Sequence, residues 1–234
     1  MKTAFTHESS PAAPTAASLQ PLAPAARANG RPRLALVIGS GGVRSVAALG
    51  LLEVLECHGL APDLIVGCSA GAIFGAVAAR GLSPQQGLAL ATRLWTREIT
   101  RRPRRGALAR MLLPRLGGFG PDFALRCDRL VLERLEQAFG DQRLEDLPTP
   151  LRVTATDAAT GEAVVLQRGT VVDVLRASIA LPFMFEPKMI DGRRLIDGFL
   201  SSPLPVGAAV DAQCIVALGL EAPMPPHIDR PTRM

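Results

Sequence analysis

The sequence predicts an α/β fold, on three observations. Leu34-Ala35-Leu36-Val37-Ile38 and Leu64-Ile65-Val66 are short apolar runs suited to buried strands, and each empties into a glycine-rich turn. After each turn comes a stretch with the apolar content of a buried helix. The composition agrees, with 48% hydrophobic residues, 20% charged, 4% aromatic and 22 glycines in 234 residues, as in a globular, glycine-rich protein. That length fits one domain with tails.

Residues 1–32 are mostly Ala, Pro, Ser and Thr, a composition that cannot build a core, and are expected to be a disordered tail. Order is expected over 33–220, followed by a Pro-rich tail over 221–234. The first strand leads into Gly39-Ser40-Gly41-Gly42-Val43-Arg44-Ser45, then a helix over 46–58 that Gly59 stops. A glycine-rich turn between a buried strand and a helix exposes backbone N–H groups at a positive helix end, where an anion or oxyanion is stabilised. A dinucleotide site needs G-x-G-x-x-G, and counting from Gly39 and Gly41 the last position is Arg44. An oxyanion hole from Gly41, Gly42 and Val43 is preferred, with a plain structural turn as the alternative, and Arg44 anchors the loop or attracts an anionic head group.

The second strand runs into Gly67-Cys68-Ser69-Ala70-Gly71, a match to G-x-S-x-G. A serine in a strained turn projects its hydroxyl only if the residues two before and two after it lack side chains, because strand and helix pass very close there. The bland alternative is a Gly/Ser turn. The helix that follows is expected to end near Gly81.

These residues resemble the patatin-like phospholipase family, in which a strand leads into a G-G-G-x-[R/K]-G loop and helix, then G-x-S-x-G, and much later an Asp-Gly pair. The similarity covers roughly 33–218. The chain departs at Ser40 and Ser45, where glycines are usual, and at Phe199, where Gly or Ala usually follows Asp-Gly. The resemblance implies a three-layer α/β/α fold with a mostly parallel central sheet, a lipid acyl hydrolase activity, and a catalytic aspartate at Asp197, with Gly198 supporting its turn.

Ser83-Pro84-Gln85-Gln86 has the form of a capped helix start, and that helix should reach about residue 95. Over 97–120 seven arginines interleave with Leu and Met, a composition suited to a basic lid or to peripheral contact with a membrane, or else to a solvated basic face. An amphipathic helix is expected over 124–139, strands over 151–156 and 162–166, and a helix capped by Thr170. Ala177-Ser178-Ile179-Ala180-Leu181-Pro182 is similar to the family's A-S-x-A-x-P segment and lines either an acyl pocket or plain core. Asp191-Gly192, between two short strands, reads as a tight hairpin turn, whereas Asp197-Gly198 ends the second of them. A last strand spans 213–217.

A serine hydroxyl needs a base. Of three histidines, His7 and His227 fall in the tails and His58 at a helix end. A Ser69–Asp197 dyad is therefore expected in place of a triad. No His, Cys or carboxylate cluster has metal-ligand spacing, so neither metal nor cofactor is expected. The four cysteines form no C-x-x-C pair and are expected reduced and buried. Net charge +5 permits an acidic partner surface, but low aromatic content and the absence of a recognised module argue against nucleic acid. No apolar run reaches bilayer-spanning length and no signal peptide is evident, so a cytoplasmic protein, peripheral on the membrane at most, is expected. A thioesterase or carboxylesterase with the same dyad, or a weakly active lipid-binding regulatory member, are the rival readings.

Overall fold

A computed structural model describes residues 33–94 and 129–220. The expected tails over 1–32 and 221–234 and the basic segment over 97–120 lie outside the described residues. Among the described residues seven strands form one sheet: β1 (Leu34–Ile38), β2 (Leu64–Cys68), β3 (Leu151–Asp157), β4 (Ala163–Leu166), β5 (Lys188–Ile190), β6 (Arg193–Asp197) and β7 (Cys214–Leu218). Their order is β5-β6-β3-β2-β1-β7, with β4 paired to β3. Strands β7, β1, β2 and β3 form a parallel block, and β6 and β4 run against it. The sheet is mostly parallel, as the α/β reading implies.

The central strands are buried on both faces, which explains their uninterrupted apolar sequence. Leu36, Ile38 and Ile65 face the larger core, shared with five helices: α1 (Ala47–Cys57), α2 (Ala70–Ala79), α3 (Pro84–Leu94), α4 (Arg129–Phe139) and α5 (Val171–Ser178). Ala35, Val37, Leu64 and Val66 face the other way, where the 3-10 turn Val206–Ala209 covers them.

Local signals explain the element ends. Ser83 and Gln86 exchange side-chain to backbone bonds at the start of α3, 3.1 and 3.3 Å long. The Thr170 hydroxyl accepts from the Asp173 N–H at the start of α5, a cap that contributes about 1 kcal/mol. Two boundaries differ from expectation. The strand expected over 64–66 continues through Gly67 and Cys68, because both still pair with β3. The helix expected from 46 is preceded by a 3-10 turn, Gly42–Val46, so half of the glycine-rich loop is itself helical. The expectation of buried thiols holds for Cys68 but not for Cys57 or Cys214, which are exposed: one ends α1 and the other opens an edge strand.

Candidate active site

The site is built at the carboxyl end of β2. Ser69 has φ 54° and ψ −125°, a conformation that costs a non-glycine residue about 1–3 kcal/mol and persists only where the surroundings enforce it. The flanking glycines show the enforcement. A Cβ on Gly67 would lie 2.5 Å from the Ala72 Cα, and one on Gly71 would lie 2.4 Å from the carbonyl oxygens of Ile38 and Gly39. Both glycines are demanded by close approach of backbones, since neither has a positive φ.

Asp197 reaches Ser69 through the topology of β3. On one edge, β3 pairs with β4 from Val153 to Thr156. On the other edge it holds two strands in succession: β2 ends with Cys68 opposite Thr154, and β6, running the other way, ends with Asp197 opposite Ala155. The carboxyl ends of β2 and β6 thus meet head to head. The Ser69 Oγ donates to Asp197 Oδ2 at 2.8 Å, across 128 positions of sequence. Gly198 makes the junction fit, because a Cβ there would lie 2.5 Å from the Thr154 carbonyl oxygen and 3.1 Å from the Cys68 Sγ. Its φ is not positive, so closeness and not a special turn requires it.

The second carboxylate oxygen, Oδ1, accepts the Phe199 N–H at 2.8 Å, and Asp197 as a whole is only 3% exposed. Burial pushes its carboxyl up from 3.8 to about 6, opposed by the bonds from Phe199 and Ser69. Phe199 itself is half exposed. Neighbouring Cys68 is buried and pushed up to about 12, first by desolvation, with the Asp197 charge adding to it and a hydrogen bond with Thr154 opposing. A thiol held neutral is space-filling at this position and no rival nucleophile.

The glycine loop leaves β1 beside the elbow, since Ile38 pairs with Gly67. It is tied down by the Gly39 N–H to Leu218 (3.0 Å) and the Ser40 N–H to Pro203 (2.8 Å). Its 3-10 turn starts at Gly42, whose φ is 59°, and Val43 is exposed. The leading N–H groups of such a turn have no acceptor within it. The Arg44 Nε donates to the Gly41 carbonyl at 3.3 Å, so Arg44 braces the loop. Ser45 is fully buried, its hydroxyl 3.3 Å from the Gly39 carbonyl oxygen it donates to, and neither Ser40 nor Ser45 has a positive φ. The serines that stand in place of the usual glycines are accommodated, one of them as a strut.

Sequence reasoning missed the hydroxyls behind the dyad. Ser178, the last residue of α5 and fully buried, accepts the Ser69 N–H at 2.8 Å and donates to the Thr154 carbonyl at 2.7 Å. The Thr156 hydroxyl donates to the Asp197 carbonyl at 2.8 Å and lies 2.7 Å from the Ser201 hydroxyl. The available signal was a serine inside the apolar run 177–181. His58 is exposed, bonds to the Val54 carbonyl and caps the end of α1, before β2 begins, whereas Ser69 follows the carboxyl end of β2. Among the described residues no helix is long and apolar enough to cross a membrane.

The patatin-like phospholipase family model matches residues 36–210. An uncharacterized NTE family protein of Mycobacterium tuberculosis is 35% identical over 203 residues, 85% of this chain and 52% of its own length. This chain therefore spans about half the length of that relative. Human patatin-like phospholipase domain-containing protein 6 is 29% identical over 191 residues, covering 79% of this chain and 13% of that protein. Among solved structures, VipD from Legionella pneumophila aligns with 72% of this chain and 46% of its own, at TM-score 0.42 and 16% identity.

Proposed function

Because the chain belongs to the patatin-like phospholipase family, we propose that it is a serine hydrolase that cleaves acyl esters of phospholipids or lysophospholipids, with Ser69 as nucleophile and Asp197 as its base. The observation that carries this reading is the 2.8 Å hydrogen bond from the Ser69 hydroxyl to a buried carboxylate. A carboxylate of ordinary pKa is a weak base; one raised to about 6 stays largely ionised at neutral pH and holds a proton far better.

In the first step Ser69 Oγ bonds to the ester carbonyl carbon while its proton passes to Asp197 Oδ2. The carbonyl electron pair moves onto oxygen, which the N–H groups of Gly41, Gly42 and Val43 stabilise at about 3 kcal/mol per donor. Collapse of the tetrahedral intermediate expels the alcohol, which leaves with the proton from Asp197. Water, deprotonated by Asp197, then attacks the acyl-serine; as the Oγ–acyl bond breaks, Asp197 returns the proton to Ser69 Oγ and the fatty acid is released. Val43, Phe199 and Leu200, apolar and exposed on the segments that bear the dyad and the loop, suit an acyl chain. Peripheral membrane contact through the arginine-rich segment over 97–120 belongs to the same reading and rests on sequence.

The test is covalent labelling by a fluorophosphonate together with a panel of phospholipid, lysophospholipid and acyl-thioester substrates. Labelling that Ser69→Ala abolishes, with turnover of the glycerolipid esters, is expected. Absence of labelling in the unsubstituted protein refutes the proposal, and a strong preference for soluble thioesters replaces the substrate class.

A further inference from the structure

The rungs of the β2–β3 ladder show that a bond is missing where the site begins. The Ile65 N–H donates to the Pro150 carbonyl at 2.9 Å, and parallel pairing carries the register on to Cys68 opposite Thr154. In a parallel ladder the same kind of bond recurs two residues along both strands, so the N–H of Ser69 is due to meet the carbonyl of Thr154. It does not. The Ser178 hydroxyl stands between them, 2.8 Å from the nitrogen and 2.7 Å from the oxygen.

We infer that Ser178 is a positioning residue for the nucleophile: its hydroxyl, spliced into the last rung of the β2–β3 ladder, lets Ser69 leave the sheet in its strained conformation while its backbone N–H stays bonded. Ser178 touches neither substrate nor the reacting atoms. It acts through the peptide of Ser69, and with no exposure its single hydroxyl is used once as acceptor and once as donor. The wedge also opens the β3 edge at the point where β6 arrives, with Asp197 opposite Ala155, the residue after Thr154. Removing it would leave the Ser69 N–H and the buried Thr154 carbonyl without their partner, and the peptide would relax toward the ordinary ladder bond, turning the Ser69 hydroxyl away from Asp197.

This inference rests on the reading of Ser69 as nucleophile, and the experiment separates the two. In the full chain, the rate constant for phosphonylation by a fluorophosphonate is measured with kcat and KM on a p-nitrophenyl ester, the pH profile of kcat, and the melting temperature. For a folded Ser178→Ala variant, phosphonylation and kcat are expected to fall about 10- to 100-fold with KM within about twofold, the scale of a misplaced reacting group. The acid limb of the profile moves upward, because the Ser69 hydroxyl that turns away is one of the groups holding the Asp197 carboxyl down. Ser178→Thr, which keeps the hydroxyl, recovers most of the lost rate. Should Ser178→Ala fail to fold, Ser178→Cys preserves the size with a poor hydrogen-bonding group and is expected to show the same loss of rate in a folded protein. Rates within twofold of the unsubstituted protein in a folded Ala or Cys variant overturn the inference. So does a loss matched by fewer titratable sites at unchanged kcat per site, or an acid limb displaced downward. An unsubstituted protein that never labels refutes the proposed function instead.

Discussion

Asp191-Gly192 and Asp197-Gly198 lie at the two ends of β6 and share a dipeptide, but the sheet treats them differently. At the first, both residues have positive φ, 49° and 74°, and make a tight primed turn between β5 and β6, with open space around the glycine. At the second, the glycine is pressed against the Thr154 carbonyl and the aspartate is buried with one carboxylate oxygen on a hydroxyl and the other on a backbone N–H. The glycine of one pair answers a demand of torsion and that of the other a demand of space. Only where the strand end is driven into the sheet is the carboxylate buried against a hydroxyl.

The largest expected difference is in catalysis. Asp197→Asn should lower kcat/KM by about 10^3-fold, as loss of a general base does, while Asp191→Asn leaves it within about twofold. For the unsubstituted protein, kcat/KM between pH 4.5 and 8 should show an acid limb near 6, falling tenfold per unit below it, because the protonated carboxyl cannot accept from Ser69. A limb at the ordinary carboxylate range would mean the burial of Asp197 does not tune it.

Stability should move the opposite way. The folded-state pKa of Asp197 is raised, so folding favours its protonated form. The charged form therefore costs stability above about pH 6, and the cost disappears as pH falls from 6 toward the unfolded value of 3.8. At about 1.4 kcal/mol per unit the penalty at pH 8 is on the order of 3 kcal/mol. Asp197→Asn should accordingly raise the urea midpoint at pH 8, and the gain should shrink to nothing near pH 4. An unchanged or lower midpoint at pH 8 would show that the carboxylate is stabilised where it sits.

Gly198→Ala comes next. Its methyl group would meet backbone atoms of Thr154 at 2.5 and 2.9 Å, which cannot swing aside as a side chain would. A loss of about 2–3 kcal/mol is expected, at the upper end for overpacking, together with about a 100-fold drop in kcat, since the strand end carrying Asp197 must back away from Ser69.

The fold and the Ser69–Asp197 pair were legible in the sequence for different reasons. Strands and helices announced themselves through short β-branched runs and capping residues such as Ser83 and Thr170, which are local signals. Ser69 was legible because its turn imposes glycine on Gly67 and Gly71, again locally. Asp197 was separable from Asp191 because one pair fell between two short strands and the other after them, and because the family resemblance implies an aspartate at Asp197. The head-to-head meeting of β2 and β6 along one edge of β3 was not legible, being a matter of pairing partners far apart in sequence. For the same cause Ser178 passed as a core or pocket residue: its role exists only once Ser69 and Thr154 are brought to either side of it, from positions 109 and 24 residues away.

Gly192→Ala gives the smallest expected effect and tests whether the two ends of β6 are independent. The residue sits at φ 74° with nothing within 4 Å of where an added methyl group would stand, so the cost is torsional alone, about 1–2 kcal/mol for an L-residue forced left-handed. That should appear as a lower urea midpoint at unchanged slope. Activity should not follow, because the pairs Lys188 to Leu195 and Ile196 to Thr156 hold β6 between the turn and the site. If kcat fell together with stability, the turn would be setting the position of Asp197 through the strand, and the two Asp-Gly pairs would be one device with two ends.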